Sequence, residues 1–423
     1  MKINIYYVFY LFLSSAVIGS AISYSKVYLF HVIFILLLTC LILKYIQNRK
    51  IIIKKQPNNM HFIFYIMFFW YLLSALWSIF PTTSLYYSLY VMFGLLIVVF
   101  MVHFIVNLNI QNRVFKIISL IVFIEIIICL LEISTDFRMP ISAYSKNIIY
   151  FGRDYTDTNL SEAFYNVPSG FHWNTNDLAS SILILIPFFL LHKNIYIKNL
   201  GFLVCCIILF FTDSRACISG LFFLFFCYLL FFKKKIFLLL FPVVIIISLI
   251  FLYNIDYLVV YNNQILNKIS ELIESIMHYM STNYVGGDSI GIRQRLIMDG
   301  IHVWLSHNVL LGIGGGSSKA IQQMNNQDIV AMHNFWIEIL VEVGPLFLFL
   351  FLFWCLLVLF KLYRIQKNTK NIYLKYYASS VFLSIISFFP SSISMSSAIY
   401  YFPMYIMFGF ALVTINNYKR LKE

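Results

Sequence analysis

The chain has 423 residues, of which 61% are hydrophobic, 19% aromatic and only 11% charged. A soluble fold of this length needs a polar shell that so few charged residues cannot supply, so the composition excludes a soluble protein. The formal net charge of +13 does not indicate nucleic-acid binding, because the basic residues stand in short clusters between apolar runs. The seven cysteines lie in or beside apolar runs without a CxxC pair, so neither disulfides nor a cysteine metal site is expected.

Apolar runs long enough to cross about 30 Å of hydrocarbon predict an all-α, polytopic membrane protein with about 12 transmembrane helices. In chain order the runs lie near 5–22, 27–44, 61–79, 84–107, 115–133, 175–191, 199–212, 216–232, 236–253, 335–360, 376–391 and 398–416. The first run follows Lys2 and is similar to a signal peptide, but the second run follows at once, which favours an uncleaved helical hairpin. The chain, 1–423, is predicted to form a single membrane domain.

The basic residues predict the orientation of these helices. Alternate loops and the two termini together carry 21 of the 30 basic residues, which by the positive-inside rule places them in the cytoplasm. The two long loops, 134–173 and 254–334, then lie on the extracytoplasmic side, the larger one between the ninth and tenth spans. Within it, apolar residues from 265 to 280 recur at helical spacing and predict an amphipathic helix, either a lid or a membrane-surface helix.

The larger loop combines two arginines with a glycine-rich run. Arg293 and Arg295 can grip a diphosphate through forked hydrogen bonds, and the run 312–318 is either an anion-binding turn or a plain turn. The plain turn is favoured because the glycines match no nucleotide-binding fingerprint. Arg295 lies four residues before Asp299, so we expect an intrahelical ion pair there, which leaves Arg293 as the better ligand candidate.

Other candidate groups lie at the ends of predicted spans. Arg215 stands in a short turn, where it either binds an anionic substrate or pairs with Asp213. His333 opens the tenth span and offers a base with an ordinary pKa near neutral, although an interfacial histidine bonded to a carbonyl is the alternative. Asn334 and Glu338 share a helical face and are predicted either to orient an acceptor or to cap the helix and pair with a neighbour.

The sixth span opens with a polar stretch. His172 and Trp173 are predicted to form a sugar-binding platform, and Asn176 and Asp177 are first of all N-cap candidates and then substrate ligands.

In the fifth span, Glu125 and Glu132 lie seven residues apart on one face and are the main feature that favours a transporter. The histidines, cysteines and carboxylates show no metal-ligand spacing, so no metal site is predicted.

Five segments, by their order and placement, resemble the O-antigen ligase and polymerase superfamily: GFHWNTNDLA at 170–179, TDSRACISG at 212–220, IRQRLIMDG at 292–300, LGIGGG at 311–316 and HNFWIEIL at 333–340. The resemblance implies transfer of a polyprenyl-diphosphate-linked glycan outside the cytoplasm, without a metal or a nucleotide sugar. It also implies that Arg215 and Arg293 match the family's arginines and that His333 matches its essential histidine. The Trp-Ile-Glu that follows His-Asn is more similar to polymerase members than to ligases.

The expected function is therefore polymerisation of undecaprenyl-diphosphate-linked repeat units into a cell-surface polysaccharide of the O-antigen or capsule type. The alternatives are a ligase that transfers polymer to lipid A core and a flippase or exporter of the lipid-linked unit. The expected partners are the lipid-linked glycan donor, a glycan acceptor (a lipid-linked repeat unit or lipid A core), membrane lipids and a chain-length regulator, with no nucleic acid and no cofactor. The expected location is the bacterial inner membrane, with the site on its extracytoplasmic face. The expected site comprises catalytic His333, Arg293 and Arg215, and substrate-binding Arg295, Asn334, Glu338, Asn176, Asp177, His172 and Trp173.

Overall fold

The computed structural model of the protein describes residues 4–24, 27–48, 56–135, 137–142, 166–236, 289–324 and 331–422. These residues form thirteen α-helices and one short β-hairpin. The helices are α1 Ile5–Ile18, α2 Leu29–Asn48, α3 Phe62–Ser74, α4 Pro81–Phe104, α5 Leu108–Ser134, α6 Thr175–Leu190, α7 Ile195–Phe211, α8 Arg215–Phe232, α9 Ser289–Ser306, α10 Ser317–Met324, α11 Phe335–Asn368, α12 Ile372–Ser391 and α13 Phe402–Arg420. Between α1 and α2, the antiparallel hairpin pairs β1 Ser23–Tyr24 with β2 Val27–Tyr28.

The prediction of an all-α membrane protein is confirmed. Six helices of the described chain are long and apolar enough to cross a membrane: α2, α4, α5, α8, α11 and α12. Eleven of the predicted apolar runs coincide with a described helix. The run at 236–253 lies almost wholly outside the described residues, and the amphipathic segment 265–280 lies entirely outside them. The total of about 12 spans and the sides on which the loops lie therefore stay predictions.

Helix α12 lies at the centre of the bundle, where it packs against α6, α8, α11 and α13. Its interior face carries buried serines, including Ser384 and Ser387. Small side chains let helix backbones approach closely in a membrane, where apolar burial gives no preference for protein over lipid. Ser384 Oγ bonds back to Ser380 O at 2.9 Å and reaches Ile184 O of α6 at 2.6 Å. The Ser384 hydroxyl thus forms hydrogen bonds to carbonyl groups of both α12 and α6 in the core.

Helix α11 is broken near its start, and this break shapes the site. Gly344 has a φ of +83°, and Pro345 follows it, so the helical hydrogen-bond ladder is interrupted there. A side chain at Gly344 would collide with the carbonyl of Leu310, which explains why a glycine is needed. The first turns of α11 therefore run in a different direction from the long apolar segment that follows.

The carbonyls exposed by this break are bound by groups outside the helix. Ile313 N donates to Val341 O at 2.9 Å, Gly314 N donates to Glu342 O at 2.9 Å, and Trp70 Nε1 donates to Val343 O at 3.0 Å. Buried carbonyls need such partners, because an unpaired one costs roughly 1–3 kcal/mol. The break consequently fastens the loop between α9 and α10 onto α11 and onto α3.

Candidate active site

A cavity of about 780 Å³ lies among residues of α1, α4, α6, α9, α10 and the turns before α11 and α13. Among the described residues that line it are six of the ten predicted site residues: His172, Trp173, Asn176, Asp177, Arg293 and His333. The described lining does not include Arg215, Arg295, Asn334 or Glu338. The tertiary structure therefore brings the predicted sugar platform and the proposed diphosphate ligand to one chamber.

His333 has a strained backbone at the mouth of α11. Its φ is +50°, a left-handed value that residues other than glycine adopt only at some cost. The ring Nδ1 lies 3.2 Å from the carbonyl oxygen of Ser394. Because a carbonyl oxygen can only accept, we assign the proton of the neutral ring to Nδ1 and the lone pair to Nε2. The carbonyl bond considered as a structural alternative is thus present, and it prepares Nε2 to accept a proton.

The electrostatics of the cavity connect three residues. Burial, and next the positive charge of Arg293, lower the pKa of His333 to about 4. This is well below the ordinary value of 6.5 on which the sequence hypothesis relied, so the ring is neutral across the physiological range. Burial lowers the pKa of Arg293, and the charge of Arg215 contributes to the same effect. The positive charges of Arg293 and Arg215 repel each other next to a neutral imidazole, and a bound anion would offset this repulsion.

Arg215 acts on Arg293 through its charge but is not among the described residues that line the cavity. It is the first residue of α8, and its side chain is exposed. The pairing with Asp213 that the sequence allowed is not observed, since no ion pair joins the two among the described residues. The charge of Arg215 instead acts on Arg293, whose pKa it helps to lower.

The predicted ion pair between Arg295 and Asp299 is not observed: both residues lie on α9, and in the described part of the chain no ion pair joins them. The Nε atom of Arg295 is buried in the protein. Arg293 remains the better ligand candidate on a different ground, because it lines the cavity.

Asn334 and Glu338 adopt the structural roles that the sequence left open. Asn334 is the N-cap of α11, and its Oδ1 accepts a hydrogen bond from Ile337 N at 3.3 Å. Glu338 is only 5% exposed and accepts a hydrogen bond from Ser397 Oγ at 2.7 Å. Since Ser397 lines the cavity, Glu338 supports the cavity wall from behind instead of facing a substrate directly.

The start of α6 is fixed by a reciprocal cap. Asn174 is the N-cap, a position that the sequence analysis assigned to Asn176 or Asp177. Asn174 Oδ1 accepts from Asp177 N at 3.0 Å, and Asn174 Nδ2 donates to Asp177 Oδ2 at 3.1 Å. Ser396 N also donates to Asp177 Oδ1 at 3.2 Å, which ties the turn before α13 to α6. Asn176 is not needed for the cap, and it lines the cavity instead.

A buried carboxylate positions His172. The ring Nε2 lies 3.3 Å from Glu125 Oε1 and 2.9 Å from Ser181 Oγ. Glu125 is 2% exposed, and its Oε1 also accepts a hydrogen bond from Phe171 N of the same loop at 3.4 Å. A carboxylate within a membrane helix needs such a partner. Glu125 therefore holds one wall of the cavity in place.

Glu132 anchors the same loop one step further along α5. Its carboxylate accepts backbone hydrogen bonds from Met139 N at 3.1 Å, Ser169 N at 2.8 Å and Gly170 N at 2.8 Å. The two glutamates that favoured a transporter are thus accounted for by the loop that they bind. This use is structural, and it serves the placement of His172.

The first four amides of the glycine-rich run form a tightly packed turn, and after them Ser318 Oγ donates to the carboxylate of Glu342 at 2.6 Å. The amides of 312–315 bond to protein acceptors: Gly312 N to Asn308 O, Ile313 N to Val341 O, Gly314 N to Glu342 O and Gly315 N to Ser74 Oγ. An anion cannot use donors that are already occupied. Gly314 and Gly316 have φ values of +99° and +70° and lie so close to Ser78 and Tyr87 that a side chain would overlap them. The glycines thus permit contact with the α3–α4 region.

Residues 200–352 match a family model described as O-antigen ligase. The resemblance to the O-antigen ligase and polymerase superfamily is confirmed. The matched range includes Arg215, Arg293 and His333; the charge of Arg215 helps to lower the pKa of Arg293, and the charge of Arg293 helps to lower the pKa of His333. No curated protein matches the chain. The match relates this part of the chain to O-antigen ligases and does not distinguish a polymerase from a ligase, and the apolar helices described above are those of a multi-pass membrane protein.

Several residues of the O-antigen ligase-like site were missed by the sequence analysis. Lys319 on α10 lines the cavity and adds a second cation to it. Its position directly after the glycine-rich run was a usable signal. Six tyrosines that line the cavity all lie outside the matched range: Tyr28, Tyr86, Tyr87, Tyr90, Tyr400 and Tyr401. They carried no signal of their own, because the chain contains 30 tyrosines.

An apolar groove of about 450 Å³ runs between α8, α11 and α12 of this O-antigen ligase-like bundle. Its lining includes Phe223, Trp336 and Phe389. The Trp336 ring stacks on Phe389 at a centroid distance of 4.8 Å, and its Nε1 donates to Phe389 O at 3.2 Å. Trp336 follows His333 by three residues, so the groove begins close to the proposed reactive group. It is a suitable surface for a hydrocarbon chain next to the site.

Proposed function

We propose that the protein is a glycosyltransferase that polymerises undecaprenyl-diphosphate-linked oligosaccharide repeat units into a cell-surface polysaccharide. The observation that carries this proposal is the meeting of His333 and Arg293 in one large cavity, with the charge of Arg215 acting on Arg293. A neutral base and fixed cations are what the attack of a hydroxyl on a glycosyl diphosphate requires.

In the proposed reaction, an acceptor hydroxyl attacks the anomeric carbon of the donor. The new glycosidic C–O bond forms while the bond from the anomeric carbon to the diphosphate oxygen breaks. The hydroxyl proton passes to Nε2 of His333, and the diphosphate departs towards Arg293 and Arg215. A single displacement of this kind inverts the anomeric centre. Fixed cations stabilise the charge that develops on the leaving group more than they stabilise the ground state.

The low pKa of His333 is compatible with this role. In the empty site, the positive charge of Arg293 opposes protonation of the ring. A bound diphosphate offsets that charge, so the pKa of His333 rises when the donor is present. The ring is therefore unprotonated when substrate arrives and becomes a stronger base in the complex, where the proton must be taken.

The lipid part of the donor has a place in this arrangement. The apolar groove lined by Phe223, Trp336 and Phe389 offers a path for an isoprenoid chain beside the site. A lipid-linked donor could thus enter from the bilayer while its diphosphate reaches the arginines.

Two alternatives share most of this chemistry. A ligase would use the same donor but would transfer a finished polymer to lipid A core, and the family match favours it equally. The Trp-Ile-Glu sequence after His333-Asn, more similar to polymerases, favours polymerisation. A flippase is disfavoured because Glu125 and Glu132 bind the loop before α6. We also expect the proposed site to lie on the extracytoplasmic face and a chain-length regulator to act as a partner.

The test is reconstitution of the purified protein in bilayers with lipid-linked repeat units as the sole substrate. Polymerase activity produces glycans of several repeat lengths, and His333→Gln, a near-isosteric change, removes them. A protein that leaves repeat units unjoined but transfers preformed polymer to added lipid A core is a ligase. A protein that only moves the lipid-linked unit across the bilayer of sealed vesicles refutes the glycosyltransferase assignment.

A further inference from the structure

Four tyrosines line the same cavity, and three of them are in mutual ring contact. We call the four residues the tyrosine wall: Tyr28, Tyr87, Tyr90 and Tyr400. The Tyr400 ring lies 5.6 Å from Tyr90 and 6.4 Å from Tyr87, measured between centroids. Tyr87 and Tyr90 meet edge to face at 5.9 Å. The wall is thus assembled from α4, the β-hairpin and the turn before α13.

The hydroxyls of the tyrosine wall have no hydrogen-bond partner among the described protein atoms. Three other interior tyrosines have partners: Tyr376 OH donates to Phe188 O at 2.7 Å, Tyr377 OH to Asn112 Oδ1 at 2.6 Å and Tyr405 OH to Ile399 O at 2.8 Å. The fully buried hydroxyl of Tyr71, which is not part of the cavity lining, has none among the described residues. A phenol that is shielded from bulk water usually has a partner. Four phenols that face a cavity together are therefore suited to a ligand with many hydroxyl groups.

An aromatic belt at the membrane interface does not account for these residues. Belt tyrosines face the lipid headgroups. Tyr87 is only 6% exposed and packs on Tyr400 inside the protein. Tyr86, the preceding residue on α4, lines the cavity rim and is 68% exposed. Tyr87 consequently belongs to the interior chamber, and Tyr90 lines the same chamber while it is 38% exposed.

The charges of the cavity lie on other residues. Arg293 and Lys319 supply its cations, whereas the tyrosine wall adds only rings and hydroxyls. A sugar ring has the matching surface, since its C–H faces pack on aromatic rings and its hydroxyls both donate and accept. A diphosphate would use only the hydroxyls of this combination, and an isoprenoid chain only the rings. The chamber thus contains both cationic residues and neutral, hydroxyl-bearing aromatic residues.

We propose that the tyrosine wall is a saccharide-binding subsite that holds sugar rings of the glycan while the cationic residues hold the diphosphate. This inference rests on the proposed glycosyltransferase function and assigns the substrate part that these residues recognise. The subsite binds the glycan independently of the lipid diphosphate, because none of its contacts requires a charge.

The experiment compares the binding of two probes to the purified, bilayer-embedded protein. The first is the lipid-free oligosaccharide released by mild acid from the source's own lipid-linked repeat unit, and the second is undecaprenyl diphosphate without sugar. Tyr90→Phe and Tyr400→Phe each remove one hydroxyl, and each should weaken oligosaccharide binding about 2- to 13-fold, the equivalent of one neutral hydrogen bond. Tyr90→Ala also removes the ring and should weaken it further. None of these changes should alter the binding of undecaprenyl diphosphate.

Tyr7→Ala is the matched control, since Tyr7 on α1 and Tyr86 at the cavity rim are both 68% exposed, but only Tyr86 lines the cavity. Tyr7→Ala should bind both probes as the parent does, whereas Tyr86→Ala should lose oligosaccharide affinity. Parental oligosaccharide binding by the Phe variants and by Tyr90→Ala overturns the subsite. An equal loss of both probes also overturns it, because that result indicates a general disturbance of the fold. If the parent binds neither probe and makes no polymer, the proposed function itself fails.

Discussion

The lowered pKa of His333 predicts an unusual acid limit for the enzyme. The change to be made is the pH of the assay, with bilayer-embedded protein and lipid-linked repeat units. His333 must be neutral to accept a proton, so activity is lost as the pH falls through the pKa of the ring. With a pKa of about 4, about 97% of the rings are still neutral at pH 5.5, whereas a pKa of 6.5 leaves about 9% neutral. We therefore expect kcat/KM to stay nearly constant from pH 8 down to about 5.5.

The same reasoning predicts a difference between two kinetic constants. The pH dependence of kcat/KM reports the free enzyme, and that of kcat reports the complex with substrate. Because the bound diphosphate offsets the charge of Arg293, the acid limb of kcat should lie at higher pH than the acid limb of kcat/KM. His333→Gln supplies the control, since its residual activity should show neither limb. An acid limb of kcat/KM centred near pH 6.5 in the parent would refute the electrostatic argument.

The remaining predictions concern the arginines, metal ions, topology and fold. Arg293→Ala should abolish polymer formation, whereas Arg295→Ala should retain measurable activity. Arg293→Lys should also lose most of the activity, since a point charge cannot make the forked hydrogen bonds to phosphate that arginine makes. The reverse ranking of Arg293→Ala and Arg295→Ala in a complementation assay would contradict the placement of Arg293 in the cavity. Chelation with EDTA should leave the parental rate unchanged, and restoration of a lost rate by a divalent ion would disprove the metal-free displacement. Asn325→Cys should be labelled by an impermeant thiol reagent in intact cells, and labelling only after permeabilisation would invert the predicted topology. Gly344→Ala should lower the free energy of unfolding by more than the roughly 1–3 kcal/mol of left-handed backbone strain, because the added methyl group also collides with Leu310. Gly19→Ala, which has open space around the added methyl group, should lower it by the backbone strain alone.

The sequence was sufficient for the class of fold, and for part of the site. Long apolar runs have one stable solution in a bilayer, since a helix satisfies its own backbone groups, and the described helices coincide with the predicted runs. Arg293 and His333 could be singled out because charged and titratable groups are rare in this chain. The expected pair of Arg295 and Asp299 failed because helical spacing describes only which side chains can meet on a helix surface. Helical spacing does not tell whether one of the two side chains, here Arg295, is buried in the protein interior.

What the sequence by itself determined is therefore a helical membrane protein with a small set of cationic and imidazole groups near the ends of its helices. Only the tertiary structure decided which of these groups meet and what state they are in. The proton position on His333 depends on the carbonyl of Ser394, and the placement of His172 depends on Glu125. The tyrosine wall exists only because α4, the hairpin and the turn before α13 converge on one cavity. Burial and the approach of distant charges depend on packing between separate segments, and no local pattern of residues encodes that packing.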